Sequence, residues 1–239
     1  MEVTLSRITV DPELAVEEAA SVCYNSQPTL DYRIMKACYN SGHLSIFEHV
    51  NFTWVIKGVS RVLLAQLTRH RIASFSVQSQ RYVSAKDMFE YVTPPRITAL
   101  GPQYVARYKD QMETMHEWYG EWQALLGGET EQSNEDARFV LPNAATTVIK
   151  VTMNAREFMH FCNERRCARA QWEIRKMADL MADTVLAKAP GFTGMFVPKC
   201  ERNSKYPYCP EGKRKTCGRY PTLADIYPKT EKEKPEFRI

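Results

Sequence analysis

The sequence predicts a mixed helix-and-strand fold: one domain over 1–197, followed by a tail over 198–239. Stretches of period-two apolar alternation interleave with stretches whose apolar residues recur every three or four positions, so strands and amphipathic helices share one chain. A length of 239 residues, with 44% hydrophobic and 25% charged content, is ordinary for a single globular core. From 198 onwards the composition turns to proline and lysine, with six of the thirteen prolines, which predicts an extended or loosely ordered tail lying on the body or on a neighbouring subunit.

In chain order, Leu5, Ile8 and Val10 suggest a first strand. Asp11-Pro12 fits a helix N-cap followed by proline at the first helical position, with Ala15, Val16, Ala19, Ala20 and Cys23 as the apolar stripe. A second helix over 31–41 places Ile34, Met35 and Cys38 inward and stops at Gly42. The polar loop His43–His49 follows. Val50, Phe52, Trp54 and Ile56 alternate as a half-buried strand that Gly58 breaks, and Ser60 caps a helix over 61–69. From Ile97 to Leu126, Tyr104, Tyr108, Met112, Met115, Tyr119, Trp122 and Leu126 form the core stripe of one long helix, ended by Gly127-Gly128. A short helix over 135–140 carries Arg138. Thr147, Ile149, Val151 and Met153 give another strand, and helices over 155–164 and 170–189 follow.

The charge pattern singles out one stretch. No aspartate or glutamate occurs between Glu48 and Asp87, while Lys57, Arg61, Arg69, Arg71, Arg81 and Lys86 all fall in that gap. Such a window suits an anion, although a plain positive surface face has the same signature. Residues 199–239 hold eleven basic and six acidic residues (+5), which leaves the body at −1 against a total of +4. A body close to neutral favours a small anionic ligand over a nucleic acid. There is neither a basic region followed by an apolar run at the N-terminus nor a bilayer-length apolar stretch, so the expectation is a soluble, cytoplasmic protein without membrane partners. Seven cysteines, an odd number, read as reduced thiols.

Familiar nucleotide motifs are missing: there is no Gly-x-Gly-x-x-Gly after a strand and no phosphate-cradling Gly-x-x-x-x-Gly-Lys loop. Phosphates would therefore be held by side chains, with Arg69, His70, Arg71 and Arg81 as the supply. Arg156, His160 and Asn163 line one face of a predicted helix opposite Phe158, Phe161 and Cys162; surface pairing with Glu157, Glu164 and Glu173 is the plainer alternative. The loop from His43 to His49 matches no zinc template. Cys200, Cys209 and Cys217 lack a nearby fourth ligand in sequence, so no metal is assigned.

The spacing Arg69-His70-Arg71, seven residues, then Ser79 resembles the signature of the flavin-dependent thymidylate synthases. The likeness extends to His43-x-Ser45-x-x-Glu48-His49, Arg138 before Val140-Leu141-Pro142, Asn154-Ala155-Arg156, and Arg165 followed by Ala170-Gln171-Trp172-Glu173-Ile174. It implies an α+β fold, with an antiparallel or mixed sheet packed by long amphipathic helices, in a homotetramer whose active sites lie at subunit interfaces. It also implies conversion of dUMP to dTMP with FAD as cofactor, methylenetetrahydrofolate as carbon donor and NADPH as reductant. Carried over by position, Ser45, Arg69, His70, Arg71, Val77, Asn154, Arg156 and His160 would contact FAD. Gln66, Arg69, Ser79, Gln80, Arg81, Arg138 and Arg165 would surround dUMP, with Arg165 polarising the uracil and His43 helping to seat the folate. Three positions depart from the pattern: Val77 stands where a polar residue is expected, His160 where some members have asparagine, and Arg169 where some have histidine. A nucleic-acid-binding protein using the acid-free stretch and the basic tail, and a zinc-stabilised interaction module built on the tail, are the competing readings.

Overall fold

The computed structural model describes residues 1–29, 31–85, 87–202 and 205–227. Lys86 and the last twelve residues of the tail, named above, lie outside them. Among the described residues four strands form one sheet in the order β1 (Glu2–Ile8), β2 (Asn51–Ser60), β4 (Thr146–Asn154), β3 (Ala73–Val77). Register follows from the pairings. Thr9 N donates to the Asn51 carbonyl and Ser6 Oγ to that of Thr53, so β1 and β2 run antiparallel. Ala155 N donates to the Val50 carbonyl and Arg61 N to that of Ala145, so β2 and β4 do too. The fold is α+β.

By contacts the chain divides into two units. The first comprises 1–6 and 53–152. It holds α3 (Arg61–Leu67), α4 (Pro95–Thr98), α5 (Pro102–Leu125) and α6 (Glu131–Ala137), with Trp54, Ile56, Leu63, Leu67, Tyr119, Ile149 and Val151 in its core. The second comprises 7–52 and 153–239. It holds α1 (Pro12–Tyr24), α2 (Arg33–Asn40), α7 (Ala155–Arg165), α8 (Trp172–Leu186) and α9 (Leu223–Ile226). Its core is an aromatic cluster: Phe52 meets Phe158, Phe192 and Phe196 edge-on at 5.8–5.9 Å, and Phe192 stacks on Phe196 at 5.4 Å.

Several expectations give way to packing. Strand β1 ends at Ile8 and Val10 is 83% exposed. Asp11 is left-handed (φ 44) and its side chain caps nothing. Gly58 does not break β2: at φ 65 it stays within the strand, and a Cβ there would stand 3.3 Å from the Met1 nitrogen. Ser45–His49 wind into a 3-10 turn that buries Ile46 and Phe47. Gly101 (φ 113) separates α4 from α5, so the predicted single helix is two. The α5 stripe is only partly core: Met112 and Tyr119 are buried, whereas Tyr104, Trp122 and Leu126 are exposed. The element carrying Arg138 is α6 followed by a 3-10 turn, Arg138–Val140.

Candidate active site

The basic stretch is held from both ends. Ser60 Oγ accepts from Leu63 N at 3.1 Å and caps α3, while Arg61 N and Val62 N donate to the carbonyls of Ala145 and Asn143. These contacts place Arg61 at the start of α3. After α3 the chain enters β3, Ala73–Val77, a strand not assigned from the sequence. The cause is tertiary: β3 pairs with β4, and Gln78 N donates to the Val148 carbonyl at 2.9 Å. Ser79 Oγ then accepts from Arg81 N at 3.1 Å and turns the chain. A buried network anchors the far side: Gln123 Nε2 donates to Ser84 Oγ, Tyr119 Oη and Asn134 Oδ1, and Asn134 Nδ2 donates to the Arg81 carbonyl.

This arrangement opens a cavity of about 550 Å³ lined by Lys57, Arg61, Gln78, Ser79, Gln80 and Thr147, among others. That volume suits a nucleotide-sized ligand. Arg61 donates through Nη2 to the Gln78 carbonyl at 3.1 Å, while its Nε is buried without a partner. Burial, and then the nearby Arg138 guanidinium, pull Arg61 below the ordinary arginine value. The like charge of Arg138 makes an anion at Arg61 favourable, although Asp87 and Glu90 also line the cavity. Arg138 itself donates through Nε to the Glu135 carbonyl at 3.1 Å. Arg81 is engaged by Glu131 at 2.7 Å and Glu135 at 2.9 Å, so a nucleotide reaching it would meet two carboxylates as well. Gln66 is half-buried on α3 and already has contacts.

Of the flavin set, the first unit carries Arg69, His70, Arg71 and Val77. Arg69 and Arg71 are exposed, and among the described residues neither meets a carboxylate within ion-pair distance. His70 between them is only 6% exposed, and Val77 ends β3 half-buried. The second unit carries Ser45, Asn154, Arg156 and His160. Asn154 Oδ1 accepts from Glu157 N at 2.8 Å and caps α7, so its oxygen is committed to the helix. Arg156 and His160 are exposed on one face of α7, opposite buried Phe158, Phe161 and Cys162, as their spacing predicts. Arg156 pairs with Glu48, not with the glutamates of its own helix, and Asn163 Oδ1 is buried without a partner. Ser45 and His43 are exposed, and His43 borders a separate cavity of about 440 Å³ with Arg33, Ser41 and Cys38.

Arg165 closes α7, half-buried and with contacts of its own. The segment after it is tied down. Arg166 donates to Asp179 at 2.7 Å and to the Phe196 carbonyl, and Arg175 to the Ala168 carbonyl at 2.9 Å. Gln171 Oε1 accepts from Glu173 N and Ile174 N and starts α8.

The chain is similar to known proteins. The family model described as thymidylate synthase complementing protein matches residues 4–191. The flavin-dependent thymidylate synthase of Nitratidesulfovibrio vulgaris is 52% identical over 184 residues, covering 76% of this chain and 73% of that one. The chain belongs to the flavin-dependent thymidylate synthase family. The Geobacter sulfurreducens member is 41% identical over 230 residues, 92% of this chain and 94% of its own. The solved flavin-dependent thymidylate synthase from Helicobacter pylori, complexed with FAD and dUMP, aligns with a TM-score of 0.58 at 25% identity, over 79% of this chain and 95% of that one. Family membership removes the ground for the nucleic-acid reading. Arg61 lines the cavity, but the sequence singled it out only as one of six cations. It stood in the acid-free window, but only the fold reveals its buried, unpaired nitrogen beside Arg138.

Proposed function

We propose that this chain converts dUMP to dTMP reductively, with methylenetetrahydrofolate as carbon donor, NADPH as reductant and FAD as resident cofactor, in a cytoplasmic homotetramer. The observation that carries the reading is the nucleotide-sized cavity holding Arg61, Ser79 and Gln80, with Arg138 electrostatically coupled to Arg61.

The residues fit a flavin dinucleotide. Arg69 and Arg71 offer exposed guanidiniums suited to a pyrophosphate, and Asn163 Oδ1 is a buried acceptor awaiting a donor. Arg69, Arg71, Arg156 and His160 would hold FAD; Val77, lacking a polar side chain, contributes backbone at most. FAD held there would supply the hydride chemistry, with NADPH as the source of its electrons. The chain's own residues do the rest. Arg61 and Arg138 neutralise the phosphate of dUMP. Ser79 and Gln80 supply hydrogen bonds around it. Arg165 stabilises negative charge on the uracil as its N3 proton leaves, which makes C5 the carbon nucleophile. The ties on Arg166 and Arg175 limit the movement of Arg165, a condition for such stabilisation. Exposed Trp118, Trp122, Leu125 and Leu126 on and just after α5 support burial against further copies.

The test is NADPH oxidation by the flavin-loaded protein with and without dUMP, alongside dTMP formation with methylenetetrahydrofolate. Acceleration by dUMP and formation of dTMP are expected. A protein that holds no flavin and whose oxidation of NADPH ignores dUMP would end this reading.

A further inference from the structure

We propose that Cys167, Cys200, Cys209 and Cys217 form a tetrathiolate zinc site that fastens the C-terminal tail to the segment following α7. In sequence the three tail cysteines had no fourth ligand. The fold supplies one: Cys167, two residues beyond α7, lines the same small cavity as the other three. Four of the seven cysteines, from separate stretches of chain, thus converge on one place, and all are free thiols. The cavity's free volume is about 10 Å³. That is room for a single ion, not for an organic ligand. Four cysteines bordering a space of that size favour zinc among common divalent ions, as a tetrathiolate structural centre.

The local chemistry agrees. Gly212, three residues after Cys209, and Gly218, directly after Cys217, are both left-handed, at φ 75 and φ 80. Glycine takes that conformation without strain, and it allows a tight turn near each of these cysteines; the Gly218 N–H is donated to Thr216 Oγ1 at 3.1 Å. A zinc ion with four thiolates carries two negative charges. Lys199, Lys215, Arg169 and Arg219 line the same cavity and balance it. Glu211 pairs with both Lys199 and Arg169, and Arg219 pairs with Glu201 at 2.8 Å, so three of these cations are already held in place. The tail also needs a fastening, because it has few aliphatic residues with which to build a core.

Among the described residues no three His, Cys, Asp or Glu side chains stand grouped closely enough to grip an ion. Binding therefore draws the thiols inward, as expected where a site forms together with the fold around it. Each thiol that binds releases its proton to water, and the sulfur lone pair makes the zinc–sulfur bond with no change of oxidation state.

The experiment measures metal in the full-length protein, loaded with zinc chloride, desalted and analysed by mass spectrometry. About one zinc per chain is expected. Replacement by cobalt should give the sulfur-to-cobalt charge-transfer and intense visible bands of a tetrahedral thiolate centre. Cys209→Ser and Cys217→Ser, made separately, should each cut retained zinc several-fold and lower the thermal midpoint as chelation does in the parent. If these variants fail to fold, the cobalt spectrum of the parent decides. No retained zinc, thiols that react with Ellman's reagent equally with and without it, or a disulfide between any two of the four would overturn the proposal. Flavin content and dUMP response are separate readouts, so the outcome does not depend on the synthase reading.

Discussion

Replacing Arg61 by methionine should separate binding from stability. In the ligand-free chain Arg61 is an awkward group: its Nε is buried and unpaired, and Arg138 stands beside it. A buried donor without an acceptor costs about 1–3 kcal/mol, and the bond to the Gln78 carbonyl returns about 0.5–1.5 kcal/mol. Methionine keeps the aliphatic stem and removes both the orphan and the like-charge repulsion. The ligand-free protein should therefore unfold at equal or higher urea concentration, by about 0–2 kcal/mol. Binding of dUMP should move the other way. Losing a charge-assisted bond to phosphate costs about 1.5–3 kcal/mol, or about ten- to hundred-fold in Kd. Urea denaturation without ligand and calorimetric titration with dUMP measure the two terms on one protein. Arg61→Lys, which keeps the charge but not the fork, should recover part of the affinity. If Arg61→Met destabilised the ligand-free chain by more than about 2 kcal/mol while leaving dUMP affinity intact, Arg61 would be a structural cation and the reasoning would be wrong.

Other outcomes follow from single contacts. Arg165→Ala should abolish dTMP formation while flavin stays bound; loss of the flavin absorbance instead would make Arg165 a scaffold residue. Glu17 is fully buried and accepts from Thr29 N, Thr29 Oγ1 and Met35 N at 3.0, 2.7 and 2.7 Å. Glu17→Ala strands those buried donors and should cost about 3 kcal/mol in urea denaturation, whereas Glu17→Gln should cost less. At Gly191 a Cβ would stand 2.5 Å from the Glu13 Cγ, and the Gly191 N–H is held by Glu13 at 2.9 Å. Gly191→Ala should therefore cost about 1–3 kcal/mol, and a neutral result would show that Glu13 moves aside freely. Asp225 is held down to about 2, chiefly by hydrogen bonds from the Thr222 side chain and backbone, with Lys213 adding to them. Because the folded value lies below the ordinary 3.8, the stabilisation is present above about pH 4 and fades as pH falls towards 2. A carboxyl resonance of Asp225 titrating near 4 would contradict this.

Much of the chain was legible because burial writes a period into sequence. The alternation from Val50 to Ile56 and the face of Phe158, Phe161 and Cys162 survive intact, since each element buries one side whatever its neighbours are. Gly58 shows the limit. Glycine usually marks a break, but in β2 the close approach of Met1 makes it the residue that fits. The α5 stripe shows another: periodicity identifies an apolar face but not what covers it, and Trp118 and Trp122 remain about half exposed.

By itself the sequence determined most of the helices and strands β2 and β4, the acid-free basic window and the ordered motifs that mark the family, because these depend on local periodicity and on spacing along the chain. The tertiary structure alone decided which charges are left unsatisfied and which thiols meet. Arg81 turns out to be engaged by Glu131 and Glu135, whereas Arg61 donates to the Gln78 carbonyl and keeps a buried Nε without a partner. Cys167 joins the three tail cysteines around one cavity. Burial, pairing and convergence depend on distances across the fold, which separation in sequence does not encode.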